Sequence, residues 1–205
     1  MTVELVIPKD GGYLTGVGSR QAPRPVRQLF TLFVQRLATR HAVIWRSGHA
    51  PGMDAAVEAG TGDAINAPEI YLPWQGFGGA YAPGDDGRFI LPFSENPTVW
   101  EKAREIAKEV IPYWDNMKPS HKALHTRNAY QVLGRSLTEP SEAIYFWAKP
   151  TRTEGRVAGG TNTAVQIGRK YEVPLFNLYD SKVLEAISVF LDLPVDIEKM
   201  QEGAR

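Results

Sequence analysis

The sequence predicts an α/β fold: a doubly wound, mostly parallel sheet with helices on both faces and a long Gly/Pro-rich loop inserted. Three observations carry that expectation. Short apolar runs rich in β-branched and aromatic residues alternate with stretches of helical spacing, the pattern of a parallel sheet crossed over by helices. Three Gly-rich turns, at 16–21, 47–54 and 159–163, each follow a predicted strand and precede a predicted helix. The chain of 205 residues, 43% hydrophobic, suits one domain with a proper core.

The elements follow in order. Tyr13-Leu14-Thr15-Gly16-Val17 is the first strand, ending in Gly18-Ser19-Arg20. Pro23 and Pro25 suit the first turn of a helix, and Val26, Leu29, Phe30, Phe33 and Leu37 then recur at three- and four-residue steps along one helical face. Ala42-Val43-Ile44-Trp45 reads as a second strand, Met53 to Ala59 as a short helix ended by Gly60, and Glu69-Ile70-Tyr71-Leu72 as a third strand. From 73 to 97, Gly and Pro fill nine of 25 positions, so no regular element is expected to persist. Trp74, Phe77, Tyr81, Phe89 and Phe93 argue against simple disorder there; the segment reads either as a lid stacking on a base or as padding for the sheet edge.

Val99, Ala103, Ile106, Val110 and Trp114 predict an amphipathic helix, whose apolar face is a candidate homodimer surface, and 123–133 predicts another. Ala143-Ile144-Tyr145-Phe146-Trp147-Ala148 is the most strand-like run in the chain. After a flexible stretch at 149–158, Gly159-Gly160-Thr161 opens a helix through Arg169. A last strand at 173–178 and a last helix at 181–191 follow.

Composition excludes several function classes. With 23 basic and 23 acidic side chains there is no global basic field, so nucleic acid binding would need a local patch. No apolar run approaches the roughly 20 residues of a membrane span. Met1-Thr2-Val3-Glu4 lacks the basic start and apolar stretch of a signal peptide, so a cytoplasmic location is expected. Cys is absent, which removes disulfides, a thiol nucleophile and thiolate metal sites. No metal and no cofactor is expected.

Gly16-Val17-Gly18-Ser19-Arg20-Gln21 resembles the opening of a dinucleotide fingerprint, but Gln21 stands at the third Gly position, against an ordinary NAD site. Ser19 and Arg20 supply a hydroxyl and a guanidinium where an anion would lie, unless this is a plain βα turn. In Ser47-Gly48-His49-Ala50-Pro51-Gly52-Met53-Asp54, Gly48 and Gly52 let backbone amides face a ligand; Asp54 either caps the next helix or binds a ribose hydroxyl. Gly159-Gly160-Thr161-Asn162-Thr163 sets two glycines and hydroxyls at a helix start, suited to phosphate, but without the Lys of a P-loop. His121 and His125 share a helix face yet lack the Glu of the zinc-peptidase motif, and read as surface or partner-facing residues. Arg24, Arg27, Arg36 and Arg40 read as a solvated face, and no Gly-x-Ser-x-Gly elbow is present.

Taken together and in this order, Gly18-Ser19-Arg20, Ser47 to Asp54 and Gly159-Gly160-Thr161 resemble the SLOG superfamily, which is similar in its core to the DNA-processing protein A family and the LOG phosphoribohydrolases. The stretch from Gly159 to Leu178 looks closest to small stand-alone members from bacteria and phages. The resemblance implies a Rossmann-like sheet and a nucleotide or nucleotide derivative as ligand. LOG enzymes cleave the N-glycosidic bond of nucleoside monophosphates, with an Arg-Lys pair before a strand and a catalytic Glu after Pro-Gly-Gly-x-Gly-Thr. Here Arg127-Asn128 stands at the comparable place, making Arg127 a phosphate candidate, while Ala164, Val165 and Gln166 stand where the acid would be. An oxocarbenium-like transition state needs a nearby carboxylate, so Asp54, Glu58 or Asp85 would have to substitute.

The expected binding set is therefore Gly18, Ser19, Arg20, Ser47, Gly48, Gly52, Asp54, Arg127, Gly159, Gly160, Thr161 and Thr163, with Asp54 and Glu58 as candidate catalytic acids and the 73–97 loop over the base. The expected function is binding of a small nucleotide ligand, with cleavage of its N-glycosidic bond as the enzymatic version. The alternatives are a non-catalytic sensor or sequestering protein, or a single-stranded DNA module of the DNA-processing protein A kind. On this reading Arg127→Ala weakens phosphate binding and leaves the melting temperature nearly intact.

Overall fold

The computed structural model describes residues 3–9, 11–84 and 87–201. Strands β1 (Tyr13–Gly18), β2 (Ile44–Ser47), β3 (Glu69–Tyr71), β4 (Phe89–Ile90), β5 (Ala143–Trp147) and β6 (Leu175–Asn177) form one open sheet in the order β4-β3-β2-β1-β5-β6. Every pairing is parallel, as in β1 on β5, where Leu14 stands beside Ala143 and Gly18 beside Trp147. The fold is thus an α/β, Rossmann-like arrangement. The chain runs outward from β1 to β4, then returns to the other side of β1, so strand order reverses between β1 and β5.

The helices are α1 (Arg24–Arg40), α2 (Met53–Gly60), α3 (Pro92–Glu95), α4 (Pro97–Val110), α5 (Pro119–Leu133), α6 (Thr161–Lys170), α7 (Ser181–Leu191) and α8 (Ile197–Gln201). Successive strand residues point to opposite faces, and this divides the core in two. Leu14, Trp45, Ala143, Tyr145 and Trp147 pack with α1, α2, α7 and α8; Val17, Tyr71, Ile144 and Phe146 pack with α4, α5 and α6. On the first side Trp45 meets Phe30 edge-on at 5.7 Å and Phe33 lies 5.0 Å from Tyr145. Each fully buried ring of this kind contributes about 2 kcal/mol through removal from water.

Local sequence sets the helix starts. Proline occupies the first turn of α1, α4 and α5, where a missing N–H costs nothing. Asn96 caps α4, its side-chain oxygen accepting from Thr98 N at 3.1 Å and Val99 N at 3.2 Å.

One expectation is corrected. The 73–97 segment does contain regular structure: a 3-10 turn at Phe77–Gly79, α3, and β4, which adds a sixth strand by pairing Phe89 with Ile70 and Ile90 with Tyr71. A two-residue edge strand between Gly87 and Pro92 leaves no periodicity to read. The apolar face of the helix predicted at 99–114 is turned into the fold: Ala103 and Trp114 are buried, and Val99, Ile106 and Val110 are half-buried against the core shared with α5 and α6. Among the described residues no helix is long and apolar enough to cross a membrane.

Candidate functional site

A cleft of about 520 Å³ opens at the carboxyl ends of β1 and β5. That is the switch point of the sheet, where the connections diverge to opposite faces and leave a crevice. One side is the turn leaving β1, tied to β5 by the bond from Ser19 N to Trp147 O at 2.9 Å. The opposite side is the start of α6, and α5 supplies the remaining wall.

Of the sequence-derived residues, Gly18, Ser19, Arg20, Asp54, Arg127, Gly159, Gly160 and Thr161 line this cleft. Ser47, Gly48, Gly52, Glu58 and Thr163 lie behind it, each with a structural partner. The Ser47 hydroxyl donates to Gly16 O at 2.7 Å, joining β2 to β1. Gly52, at φ +97°, lets α2 start against the β1 turn; a Cβ there would fall 2.6 Å from Ser19 O. Gly48 leaves the space in which the Arg127 guanidinium lies, since a Cβ would stand 1.0 Å from its Nη1. Glu58 pairs with His49 Nδ1 at 2.9 Å, and Thr163 Oγ1 with His125 Nδ1 at 2.7 Å. Asp85 lies outside the described residues.

The aromatic loop does not cover the cleft. Phe89 lies 5.1 Å and Phe77 6.5 Å from the His49 ring, and Trp74 packs edge-on against Phe77 at 5.1 Å. Among the described residues, none of the 73–97 segment lines the cleft.

Sequence reasoning missed the α5 wall: His121, Leu124, His125, Asn128 and Gln131 line the cleft. Their three- and four-residue spacing marks one helical face, and that signal was available. His121, exposed as expected, and His125, half-buried, thus both border the cleft. Asn128 Nδ2 donates to Gly160 O at 3.2 Å and so fixes the start of α6 against α5.

The electrostatics centre on Arg127 and Asp54, 5% and 3% exposed. Nη1 of Arg127 stands 3.4 Å from Oδ2 of Asp54. Gln131, turned with its carboxamide oxygen inward, accepts from Gly48 N at 3.0 Å and from Arg127 Nη1 at 3.2 Å. Nε of Arg127 is buried with no partner. Burial pushes the Asp54 carboxyl above its ordinary range, with Arg127 opposing; burial also draws Arg127 down, against the pull of Asp54. His125 is lowered to about 4, chiefly by burial, with the nearby His121 and Arg127 adding to it, so its ring is neutral at pH 7.

Chemically this arrangement suits an oxyanion. Two guanidiniums, Arg20 and Arg127, and the positive end of the α6 dipole face one volume. Asp54 is the one carboxylate lining the cleft among the described residues. At 164–166, Ala164 lines the cleft, Val165 is buried, and Gln166 turns away to donate to Gly155 O at 2.8 Å. No group of three or more His, Asp or Glu that could hold a metal occurs among the described residues.

No family model matches the sequence, and no curated protein does. Among solved structures the chain is similar to DNA processing protein A from Helicobacter pylori, described for its single-stranded DNA binding mode, at 14% identity and a TM-score of 0.37 over 89% of this chain and 81% of that one.

Proposed function

We propose that the protein binds a nucleotide or nucleotide derivative in the switch-point cleft, its phosphate held by Arg127 and Arg20 between the β1 turn and the start of α6. The observation that carries this reading is Arg127, a buried guanidinium lining the cleft whose donors the protein leaves partly unused. Guanidinium–phosphate bonds are charge-assisted and among the stronger hydrogen bonds available. The cleft volume of about 520 Å³ falls in the range of small-molecule sites. The order of the three turns along the chain supports the resemblance to the SLOG superfamily.

Binding without hydrolysis is the version the side chains favour. N-glycosidic cleavage through an oxocarbenium-like transition state wants a carboxylate at the sugar. Asp54 lies against Arg127, at the phosphate end of the cleft rather than the sugar, and Glu58 pairs with His49 outside the cleft. Equilibrium dialysis against nucleoside monophosphates, NAD and ADP-ribose, with mass spectrometry of both chambers, tests this. One component retained intact is the expected result. Accumulation of free base would instead make the protein a glycosidase, and retention of nothing would remove the nucleotide reading.

Single-stranded DNA is the second reading, favoured by Trp74, Tyr81 and Phe93 at 38%, 63% and 53% exposure, which offer faces for base stacking. Oligonucleotide affinity that falls steeply with salt would promote it, since counterion release sets that slope.

A further inference from the structure

Asp54 and Arg127 meet inside the volume assigned above to a phosphate, and their contact is a poor one. A single carboxylate oxygen reaches the guanidinium, at 3.4 Å from Nη1, and the same oxygen also accepts from Ala50 N at 3.4 Å. A strong Arg–carboxylate pair is bidentate and nearer about 2.8 Å. The guanidinium does not need Asp54 to hold its place. It lies in the space left by Gly48, and Gln131 accepts from the same nitrogen at 3.2 Å.

We propose that Asp54 is an internal counter-ion rather than a ligand-binding group: it occupies Arg127 until a phosphate displaces it, and it takes a proton from solvent as the phosphate binds. This rests on the nucleotide reading of the cleft. The surrounding charges give the sign. From α5, Arg127 faces Asp54, and His125, neutral at pH 7, lines the same wall beside His121. From the β1 turn comes Arg20, close enough to Arg127 to disfavour its charge. From α2 itself, Glu58 repels the Asp54 carboxylate. Burial already works against that carboxylate, and Arg127 is the main group favouring its charged form. A phosphate on Arg127 removes part of this support and adds negative charge beside it. Both changes favour the protonated acid, so affinity rises as pH falls.

The test is calorimetric binding of AMP and ADP-ribose. Each phosphate of ADP-ribose carries one ester and one anhydride link and lacks the ionisation near about pH 6 that would confound a profile. Wild-type affinity for ADP-ribose should rise as pH is lowered from about 8 to about 5.5, with proton uptake seen as a dependence of the heat on buffer ionisation. Asp54→Asn should bind roughly tenfold tighter at pH 8, because a like charge has gone from the site, and its profile should be flat. Weaker binding by Asp54→Asn would mean that Asp54 orients Arg127, and would overturn the proposal. So would unchanged affinity, with the nucleotide reading left standing. If the variant fails to fold, the wild-type profile decides, and a flat one overturns the proposal. Binding of neither probe by the wild type would overturn both this proposal and the reading beneath it.

Discussion

Arg127 reads in the sequence as a phosphate ligand whose loss costs affinity alone; in the structure it is also half of a buried ion pair. Removing one partner of such a pair strands the other charge, at a cost of about 3–5 kcal/mol. Arg127→Ala should therefore lower the denaturation midpoint as well as abolish binding, contrary to the sequence expectation of an intact melting temperature. Asp54→Asn in the same chain should restore part of the loss, since no charge is then stranded; urea unfolding of the two single variants and the double variant checks this. His125 gives a second residue-scale prediction. Its ring titrates near 6.5 when unfolded and at about 4 in the fold, so below pH 6.5 the unfolded chain binds the extra proton. The stability it contributes is complete above 6.5 and is lost as pH falls through about 4. His125→Gln should accordingly lose less stability between pH 7 and pH 4.5 than the wild type, measured as the change in urea midpoint. An equal loss in both would assign the acid sensitivity to other groups.

At the scale of elements, α4 and α5 show why some of the molecule was legible and some was not. Trp100 of α4 is buried against Tyr130 with rings stacked at 6.1 Å, so Trp100→Ala should cost about 3–5 kcal/mol through the cavity left behind. A loss below about 1 kcal/mol in thermal or chemical unfolding would mean that the helix is loosely docked. The same burial turns this face inward; sequence amphipathicity, which offered it as a dimer surface, shows only that a face is apolar, not what covers it. β5 was readable because a parallel strand buried on both sides makes a continuous apolar run, whereas β2 was read at 42–45 and lies at Ile44–Ser47, its second half being the buried polar Arg46 and Ser47. β4 was not readable, being two residues long at the edge. The helix at 123–133 was legible and Arg127 was singled out on it, but the rest of its inward polar face was not. From Thr126 to Leu133 it is buried all round, so Arg127, Asn128 and Gln131 point inward, where a polar residue is ordinarily assigned to solvent. The site followed the same division. Gly18 to Arg20 and Gly159 to Thr161 announced themselves as turns between strand and helix. Gly48 and Gly52 looked like cradles for a ligand but give room to Arg127 and to the β1 turn, a distinction that only three-dimensional neighbours supply.

The whole molecule is divided by its sheet into two cores, and the cleft draws on both sides of that division. Arg20 and Asp54 belong to the stretch that carries α1 and α2 on one face; Arg127, Gly160 and Thr161 belong to α5 and α6 on the other. A ligand spanning the cleft binds a surface that exists only when both layers are docked on the sheet, so it should stabilise the folded chain as a unit. At a free concentration about 100 times its Kd the gain is about 2.7 kcal/mol. For a chain of this size each kcal/mol raises Tm by about 2–4 °C, which makes the expected shift about 5–11 °C. Gly160→Val separates this effect from any general action of the ligand. A Cβ at that position meets only His125 Cε1 at 3.9 Å, an ordinary contact, so the variant should melt unaided near the wild-type temperature. Its added side chain nevertheless stands at the mouth of the α6 start, and the ligand-induced rise should disappear. A rise retained in Gly160→Val would move the ligand away from α6, and with it the assignment of Arg127 as the group that receives the phosphate.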